Sequence, residues 1–271
     1  MSPATTHPAV QLGSGPGVPD RRSWRTLMSC WRIFLLPGRY TEQIYEAFLA
    51  VEAPVFARAY HQVRVHPNGR KLFRDHPDLL GVLADDDYLA SLPHGSLGHA
   101  YHSFLQTNRL DAGVFSEADI IRPLAEKNGW DEDFYYMIRR GTAVHDLFHT
   151  ISGYGPDMVG EVLNLGFHCG QMEPAGAVKH MGRMFAMATP GASPRFKLRC
   201  YEQAVERGRR ADCLMAAPWE ELLPLPYREV QELLGVAPTN VAHPGGIWFT
   251  EWMPPGFKSP SRWDYEAVLA A

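Results

Sequence analysis

The chain has 271 residues, of which 45% are apolar and 21% charged, an ordinary composition for a globular protein with a sizeable core. Its formal net charge of −4 argues against a general nucleic-acid-binding protein, which is usually basic, and no base-reading or stacking motif is present.

The ends of the chain differ in composition from its middle. Residues 1–20 are rich in Pro, Gly, Ser and Thr, which predicts a disordered N-terminal tail. In residues 21–40 arginines alternate with Trp and Leu, which favours a basic amphipathic segment at a membrane surface, although such a segment can also pack on its own domain or on a partner subunit. Residues 241–271 form a tail rich in Trp and Pro, which we expect to be irregular and partly packed.

Between these ends, residues 41–240 have the period of helices, with apolar residues three and four positions apart. Pro54 is expected to kink or divide the first apolar run. We find neither alternating strand patterns nor an internal repeat, and the pattern therefore predicts an all-α, multi-helix single domain. Its later helices are predicted at 96–107, 117–127, 131–152, 157–170, 175–188, 195–209 and 226–235.

The cysteines and the hydropathy limit the type of compartment. The four cysteines are scattered, at Cys30, Cys169, Cys200 and Cys213. Because no two form a CxxC pair, we expect reduced, mostly buried thiols rather than disulfides or a thiolate zinc site. No apolar stretch is long enough for a membrane-spanning helix, and the N-terminus lacks a secretory pattern, so a soluble or peripheral protein is expected.

The predicted helix at 131–152 contains two potential metal ligands. His145 and His149 are four residues apart and therefore lie about 40° apart on one helix face, a spacing that lets two imidazoles bind one metal ion. Asp146 lies on the flank of that face. Glu161 follows His149 after eleven intervening residues, in the next predicted helix. A tight Gly-Tyr-Gly-Pro turn between the helices makes them antiparallel neighbours, which predicts a metal site between them.

Two imidazoles and two carboxylates suit zinc, ferrous iron, manganese or cobalt, and suit calcium or copper(I) poorly. The alternative is that the histidines are core residues with ordinary hydrogen bonds and that Glu161 is a solvated helix residue. We favour the metal, because burying this set without an ion or partners would be costly.

The motif also resembles the signature of a known family. His145-Asp146-x-x-His149, eleven residues and then Glu161 are similar to the signature of the coenzyme Q biosynthesis family Coq-four. The segments from Leu92 to Tyr101 and from Leu223 to Pro238 resemble the family's Gly-Ser-Leu-Gly entry to a helix and its Leu-Gly-Val closing helix. The resemblance covers about residues 40–240, whereas the basic N-terminus and the Trp-rich tail have no counterpart that we recognise, which suggests a bacterial-type homologue.

The resemblance implies a mostly helical fold with a divalent metal, most often zinc, held by His145, Asp146, His149 and Glu161. It also implies ubiquinone biosynthesis, by oxidative decarboxylation of a polyprenylated hydroxybenzoate-type intermediate in which a hydroxyl replaces the carboxyl group on ring carbon 1. The alternative is a non-catalytic, lipid-binding scaffold of the biosynthetic complex with a structural metal. An unrelated metal hydrolase is a third, weaker possibility.

Partners and location follow from the same resemblance. We expect an isoprenoid quinone precursor, other quinone-biosynthesis proteins and a membrane surface as partners. We also expect a homo-oligomer, but only because homo-oligomers are common among proteins in general. The location would be peripheral on the cytoplasmic side of a bacterial inner membrane, or on the matrix side of the mitochondrial inner membrane in a eukaryote. We favour core packing or a solvated surface for a further set of residues, with a substrate pocket or a charged contact surface as the alternative: His99, His102, His168, Met181, Met184, Phe185, Met187, Arg183, Arg207, Arg209 and Arg210.

Overall fold

The computed structural model describes residue 49 and residues 53–112, 121–172, 176–189 and 193–237. The predictions for the tails at 1–20 and 241–271 and for the basic segment at 21–40 lie outside these residues. Within them all regular secondary structure is helical, apart from one isolated antiparallel bridge between Ser96 and Pro226. The all-α prediction is therefore confirmed.

The helices follow the predicted order, and three short helices between residues 67 and 91 add to those that the sequence predicted. In chain order they are α1 (Ala53–Val65), α2 (Pro67–Asp75), α3 (Leu79–Ala84), α4 (Asp86–Ser91), α5 (Leu97–Asn108), α6 (Arg122–Asn128), α7 (Glu132–Ser152), α8 (Met158–Gln171), α9 (Ala177–Ala188), α10 (Pro194–Arg210), a 3₁₀ turn (Leu214–Ala216), α11 (Trp219–Leu222) and α12 (Tyr227–Leu233). Helices α2 to α4 have six to nine residues each, too few for the apolar period to be recognised in the sequence.

Short polar side chains determine where the long helices begin. Asp131 caps α7 by accepting a hydrogen bond from the Phe134 amide at 2.7 Å, and Asp157 caps α8 by accepting from Val159 and Gly160. These side chains satisfy amides that have no partner within the helix, which fixes the first turn of each.

The core surrounds α7 and α8. The largest cluster joins Phe104 of α5, Phe148 of α7, Phe167 of α8 and Trp219 of α11, each fully buried. Helix α8 lies close against α10 at Gly170, where an added Cβ atom would lie only 2.0 Å from the Val205 carbonyl oxygen. The backbones of α8, which carries one of the proposed metal ligands, and α10 are therefore in direct contact at this point.

No helix within the described ranges is both long and apolar enough to cross a bilayer.

Candidate metal centre

Three of the four predicted ligands converge between α7 and α8. The Nε2 atoms of His145 and His149 are 3.2 Å apart, and each lies within 3.5 Å of the same oxygen, Glu161 Oε2. His149 lies beside Glu161, whereas His145 stacks beside His168 further along α8, so the two helices run antiparallel. In the described part of the chain this is the one group of three or more potential ligands within metal-binding distance of one another.

The separations of the three atoms match those expected around a single ion. Ligand atoms about 2.0–2.1 Å from a tetrahedral zinc lie roughly 3.3–3.4 Å from one another. The observed separations of 3.2, 3.4 and 3.5 Å fall close to that value. The donor set of two imidazoles and one carboxylate is also one that zinc, ferrous iron and manganese accept. The residues present therefore fit a divalent metal.

The ring of His149 is held in one orientation. Its side chain is fully buried, and Nδ1 lies 3.1 Å from the Tyr154 carbonyl oxygen. Because a carbonyl can only accept, Nδ1 must carry a proton, and Nε2, which faces Glu161, is the atom whose lone pair an ion would use in place of a second proton. Phe104 stacks on the ring with 5.9 Å between centroids. An outer partner of this type is a common feature of metal-binding histidines.

The turn between α7 and α8 brings Glu161 to the histidines. Gly153 ends α7 with a φ of 77°, a left-handed conformation that favours glycine. The turn then packs directly on α8, because an added Cβ atom on Gly160 would lie 1.7 Å from the Gly155 carbonyl oxygen. The Gly-Tyr-Gly-Pro signal in the sequence predicted the turn. It did not predict the close contact at Gly160.

Side chains distant in sequence hold the last turn of α7. Tyr227 donates a hydrogen bond to the Thr150 carbonyl at 2.7 Å, and Gln231 donates to Ile151 at 3.0 Å. Arg207 donates to the Ser152 carbonyl at 2.8 Å and also to Ala237. These buried bonds satisfy carbonyls that have no partner within the helix. Sequence reasoning missed all three donors, since no local pattern connects residues separated by 55 to 80 positions.

The charges of the three residues are coupled. Burial lowers the pKa of His145, but a hydrogen bond to Glu161 and its negative charge outweigh this effect and raise that pKa to about 9. Burial raises the pKa of Glu161, but the charge of His149 and the hydrogen bonds from both histidines lower it far below its usual range. In the ion-free protein the carboxylate is thus anionic and His145 is protonated, and a bound cation would take the place of that proton.

His168 lies next to this group without belonging to it. Its ring stacks on Phe148 at 4.2 Å and on His145 at 5.9 Å between centroids. Burial and the neighbouring positive charges of His145 and His149 lower its pKa well below its usual value. From the sequence, core packing was the favoured role of His168 and a place in the metal pocket was the alternative; its ring packs on Phe148 and also lies beside the proposed ligand His145.

The remaining candidates lie elsewhere or have structural partners. Asp146 is half-buried and is not part of the three-residue group, so its role as a fourth ligand stays a prediction. His102 pairs with Asp86 at 3.0 Å, and the ring of His99 packs against His94 at a tilt, with 4.3 Å between ring centroids.

Of the charged and apolar candidates, Arg207 is buried and caps α7, so it cannot serve a charged contact surface, contrary to expectation. The other arginines pair with acidic neighbours, Arg183 with Glu202, and Arg209 and Arg210 with Glu206. On α9, Met181 is buried, Phe185 is half-buried, and Met184 and Met187 are exposed.

Comparison with known proteins decides the family. Residues 47–240, which include the whole three-residue group, match the family model described as coenzyme Q (ubiquinone) biosynthesis protein Coq4. The chain belongs to the Coq4 family. The match covers well over half of the chain and agrees with the range of resemblance read from the sequence.

Individual Coq4 relatives are similar over the same region. The chain is 28% identical over 180 residues to the mouse mitochondrial ubiquinone biosynthesis protein COQ4 homolog, and 29% identical over 177 residues to the human one. The fungal COQ4 of Lodderomyces elongisporus is 26% identical over 192 residues. These matches cover 65–68% of this chain but only 64%, 63% and 47% of the respective relatives, so the chain spans less than two thirds of their length.

The fold also has a solved counterpart. A crystal structure of a Nostoc punctiforme protein, provisionally assigned to ubiquinone biosynthesis, superimposes with a TM-score of 0.56 over 79% of this chain and 97% of that one. At 18% sequence identity, this likeness supports the helical fold alone.

Proposed function

We propose that this Coq4-family chain is a metal-dependent enzyme of ubiquinone biosynthesis that replaces the carboxyl group on ring carbon 1 of a polyprenylated hydroxybenzoate-type intermediate with a hydroxyl group. Its metal would be a divalent ion, zinc before iron or manganese, held by His145, His149 and Glu161 with Asp146 as fourth ligand. Membership of the Coq4 family supports a role in ubiquinone biosynthesis. The site's geometry supports the metal.

The observation that carries the catalytic proposal is the uneven exposure of the group. His149 is fully buried, whereas the side chains of His145 and Glu161 are 39% and 26% exposed. A structural site is closed by protein ligands, whereas a catalytic one keeps a side open to a ligand from solution. With three converging protein ligands, this open side leaves a position for a ligand from solution and favours an enzyme, whereas a site closed by Asp146 as well would favour a scaffold whose metal only stabilises the fold.

The reaction breaks the bond between ring carbon 1 and the carboxylate, releases CO₂, and forms a carbon–oxygen bond. This change removes two electrons from the substrate. We propose dioxygen as the acceptor, which leaves as hydrogen peroxide while water supplies the hydroxyl group. When bound, a divalent metal supplies Lewis acidity, which stabilises negative charge on a carboxylate or phenolate oxygen. The Tyr154 carbonyl fixes the ring of His149 so that Nε2 faces Glu161.

Association with lipid and with other quinone-biosynthesis proteins belongs to the same proposal. Met184 and Met187 of α9 are each 44% exposed, and thioether side chains adapt to irregular apolar ligands such as an isoprenoid tail. Peripheral association with a membrane stays a prediction from the sequence and the family, and homo-oligomerisation stays one from the general frequency of homo-oligomers.

The test is a product assay with purified protein. The metal-loaded chain is incubated in air with a short-chain prenylated 3,4-dihydroxybenzoate, and CO₂ and the hydroxylated ring are measured by mass spectrometry. We expect turnover by the wild type and none by His149→Ala. Glu206→Gln, a surface control on α10, should retain activity. Equal turnover by His149→Ala would contradict the proposal, and so would a folded, metal-loaded wild type that releases no CO₂.

A further inference from the structure

Helix α8 carries two polar side chains that the proposed metal group does not use. Asn164 is completely buried, and neither its amide nitrogen nor its amide oxygen has a hydrogen-bond partner in the protein. The Nε2 atom of His168 is also buried without a partner. Buried polar groups are nearly always hydrogen-bonded, so three such atoms on one helix need an explanation.

These side chains share a helix face with Glu161. Positions 161, 164 and 168 are spaced i, i+3 and i+7 and therefore project within about 60° of one another around α8. Glu161 on this face reaches both histidines, and His168 stacks directly on His145. The face that carries Asn164 is thus the one turned towards the metal group. The opposite face of α8 packs on α10 at Gly166 and Gly170.

We propose that Asn164 and His168 form a hydrogen-bonding subsite for the oxygen atoms of an aromatic acid bound at the metal group. This inference rests on the proposed function, and it adds two specificity-determining residues to it. An amide can both donate and accept, and a neutral imidazole can do either, so the pair suits a ring that carries a carboxylate next to phenolic oxygens. Phe148, stacked on His168, supplies an apolar surface beside them.

The energetic logic is that of a site built to bind polar groups. A buried donor or acceptor without a partner destabilises the free protein. A ligand that hydrogen-bonds to this group removes the penalty, and the free energy gained strengthens binding. A ligand without the matching oxygen leaves the groups unpaired, so sites of this kind reject it strongly. Asn164 and His168 would therefore select for oxygen-substituted rings over plain benzoates.

The experiment measures ligand binding separately from catalysis. The probe is 3,4-dihydroxybenzoate, titrated calorimetrically into zinc-loaded protein, with benzoate as the comparison ligand. The variants are Asn164→Leu and His168→Phe, which keep approximate size, and His168→Gln, which restores a hydrogen-bonding group near Nε2. The control is Gln203→Leu, because Gln203 on α10 also has a buried amide oxygen without a partner.

We expect Asn164→Leu and His168→Phe to retain their zinc and to bind the dihydroxybenzoate about five- to tenfold more weakly, the usual effect of one hydrogen bond. His168→Gln should stay within about twofold of the wild type, as should Gln203→Leu. Removing an unpaired buried amide should leave the urea midpoint of Asn164→Leu unchanged or higher.

The inference fails if both apolar variants, still metal-loaded, bind the probe as tightly as the wild type, or if the wild type does not prefer it to benzoate. A marked loss of stability in Asn164→Leu would also contradict it, because the amide would then have a structural partner. If Asn164→Leu does not fold, the proposal is tested by the difference in dihydroxybenzoate affinity between His168→Phe and His168→Gln. Loss of decarboxylation with this binding pattern intact would instead overturn the proposed function alone.

Discussion

At the scale of single residues, the candidate centre is already arranged before any ion arrives. The Tyr154 carbonyl fixes the proton of His149, and the three ligand atoms lie 3.2–3.5 Å apart. Side chains that start in the bound geometry lose little conformational freedom on binding. Tight metal affinity should therefore depend on each of the three ligands, and most on the charged one.

The first prediction concerns Glu161. Glu161→Gln keeps the shape of the side chain but removes its negative charge, which attracts the cation and both imidazoles. We expect zinc affinity to fall by about a hundredfold or more. This exceeds the roughly 10- to 100-fold loss that follows when a residue that only hydrogen-bonds to a metal ligand is replaced. Competition with a chelating dye measures the affinity. Glu206→Gln on α10 should match the wild type, and equal affinities of all three proteins would exclude Glu161 as a ligand.

At the scale of helices, the turn and the start of α8 determine where Glu161 lies. The second prediction concerns Gly160→Ala, whose new Cβ atom would overlap the Gly155 carbonyl oxygen. The forced shift should destabilise the protein by about 1–3 kcal/mol and weaken metal binding by moving Glu161. Urea unfolding and the same dye competition provide the two measurements.

Gly141→Ala in α7 is the matched control for Gly160→Ala. Its new Cβ atom would meet mainly the terminal methyl group of Met215, a flexible side chain that can move. Alanine is also the better helix former, by about 0.5–1 kcal/mol in a helix interior. We therefore expect unchanged or raised stability and full metal binding. If both variants lost the same stability, the close contact at Gly160 would not hold α8 in place.

The third prediction concerns the end of α7. Arg207→Met removes the buried donor to the Ser152 and Ala237 carbonyls while keeping much of the apolar volume. Because hydrogen bonds from a charged group contribute about 1.5–3 kcal/mol, we expect a loss of about 2 kcal/mol in the free energy of unfolding. Arg210→Met, on the exposed end of α10, should change it by no more than about 0.5 kcal/mol. Indistinguishable unfolding midpoints would contradict the capping role.

At the scale of the whole molecule, the proposed metal joins two central helices. An ion that binds only the folded chain stabilises it by mass action, by about 2.7 kcal/mol at a hundredfold excess over Kd. We predict that Tm rises when zinc is added to chelator-treated protein and that the rise disappears in His145→Ala/His149→Ala. Calorimetry measures both. A zinc-dependent shift of the same size in the double variant would place the binding elsewhere.

The sequence was informative where structure depends on neighbouring residues. The spacing of His145 and His149 and the glycine-rich turn are local patterns, and the α7–turn–α8 unit was predicted from them and from the helical period. Contacts between distant residues were not predictable. Arg207, which in the sequence belongs to a run of basic residues at the end of α10, is in fact buried under the last turn of α7.

The same limit explains Asn164 and Asp146. In the sequence, Asn164 is an ordinary polar residue within an apolar helix, and only its complete burial marks it out. Asp146 fits the family motif, but neighbouring helical positions diverge by about 100°, and the other three ligands converge without it. Whether its carboxylate completes the metal site depends on the ion itself.

The most direct test of the central claim is the metal content of the purified chain. Mass spectrometry with an inductively coupled plasma should find about one divalent ion per wild-type chain and almost none in His145→Ala/His149→Ala, with both proteins folded by circular dichroism. A folded wild type that contains no metal, and takes up none when zinc, iron or manganese is supplied at neutral pH, would show that the three residues are a polar core, and the catalytic proposal would be wrong.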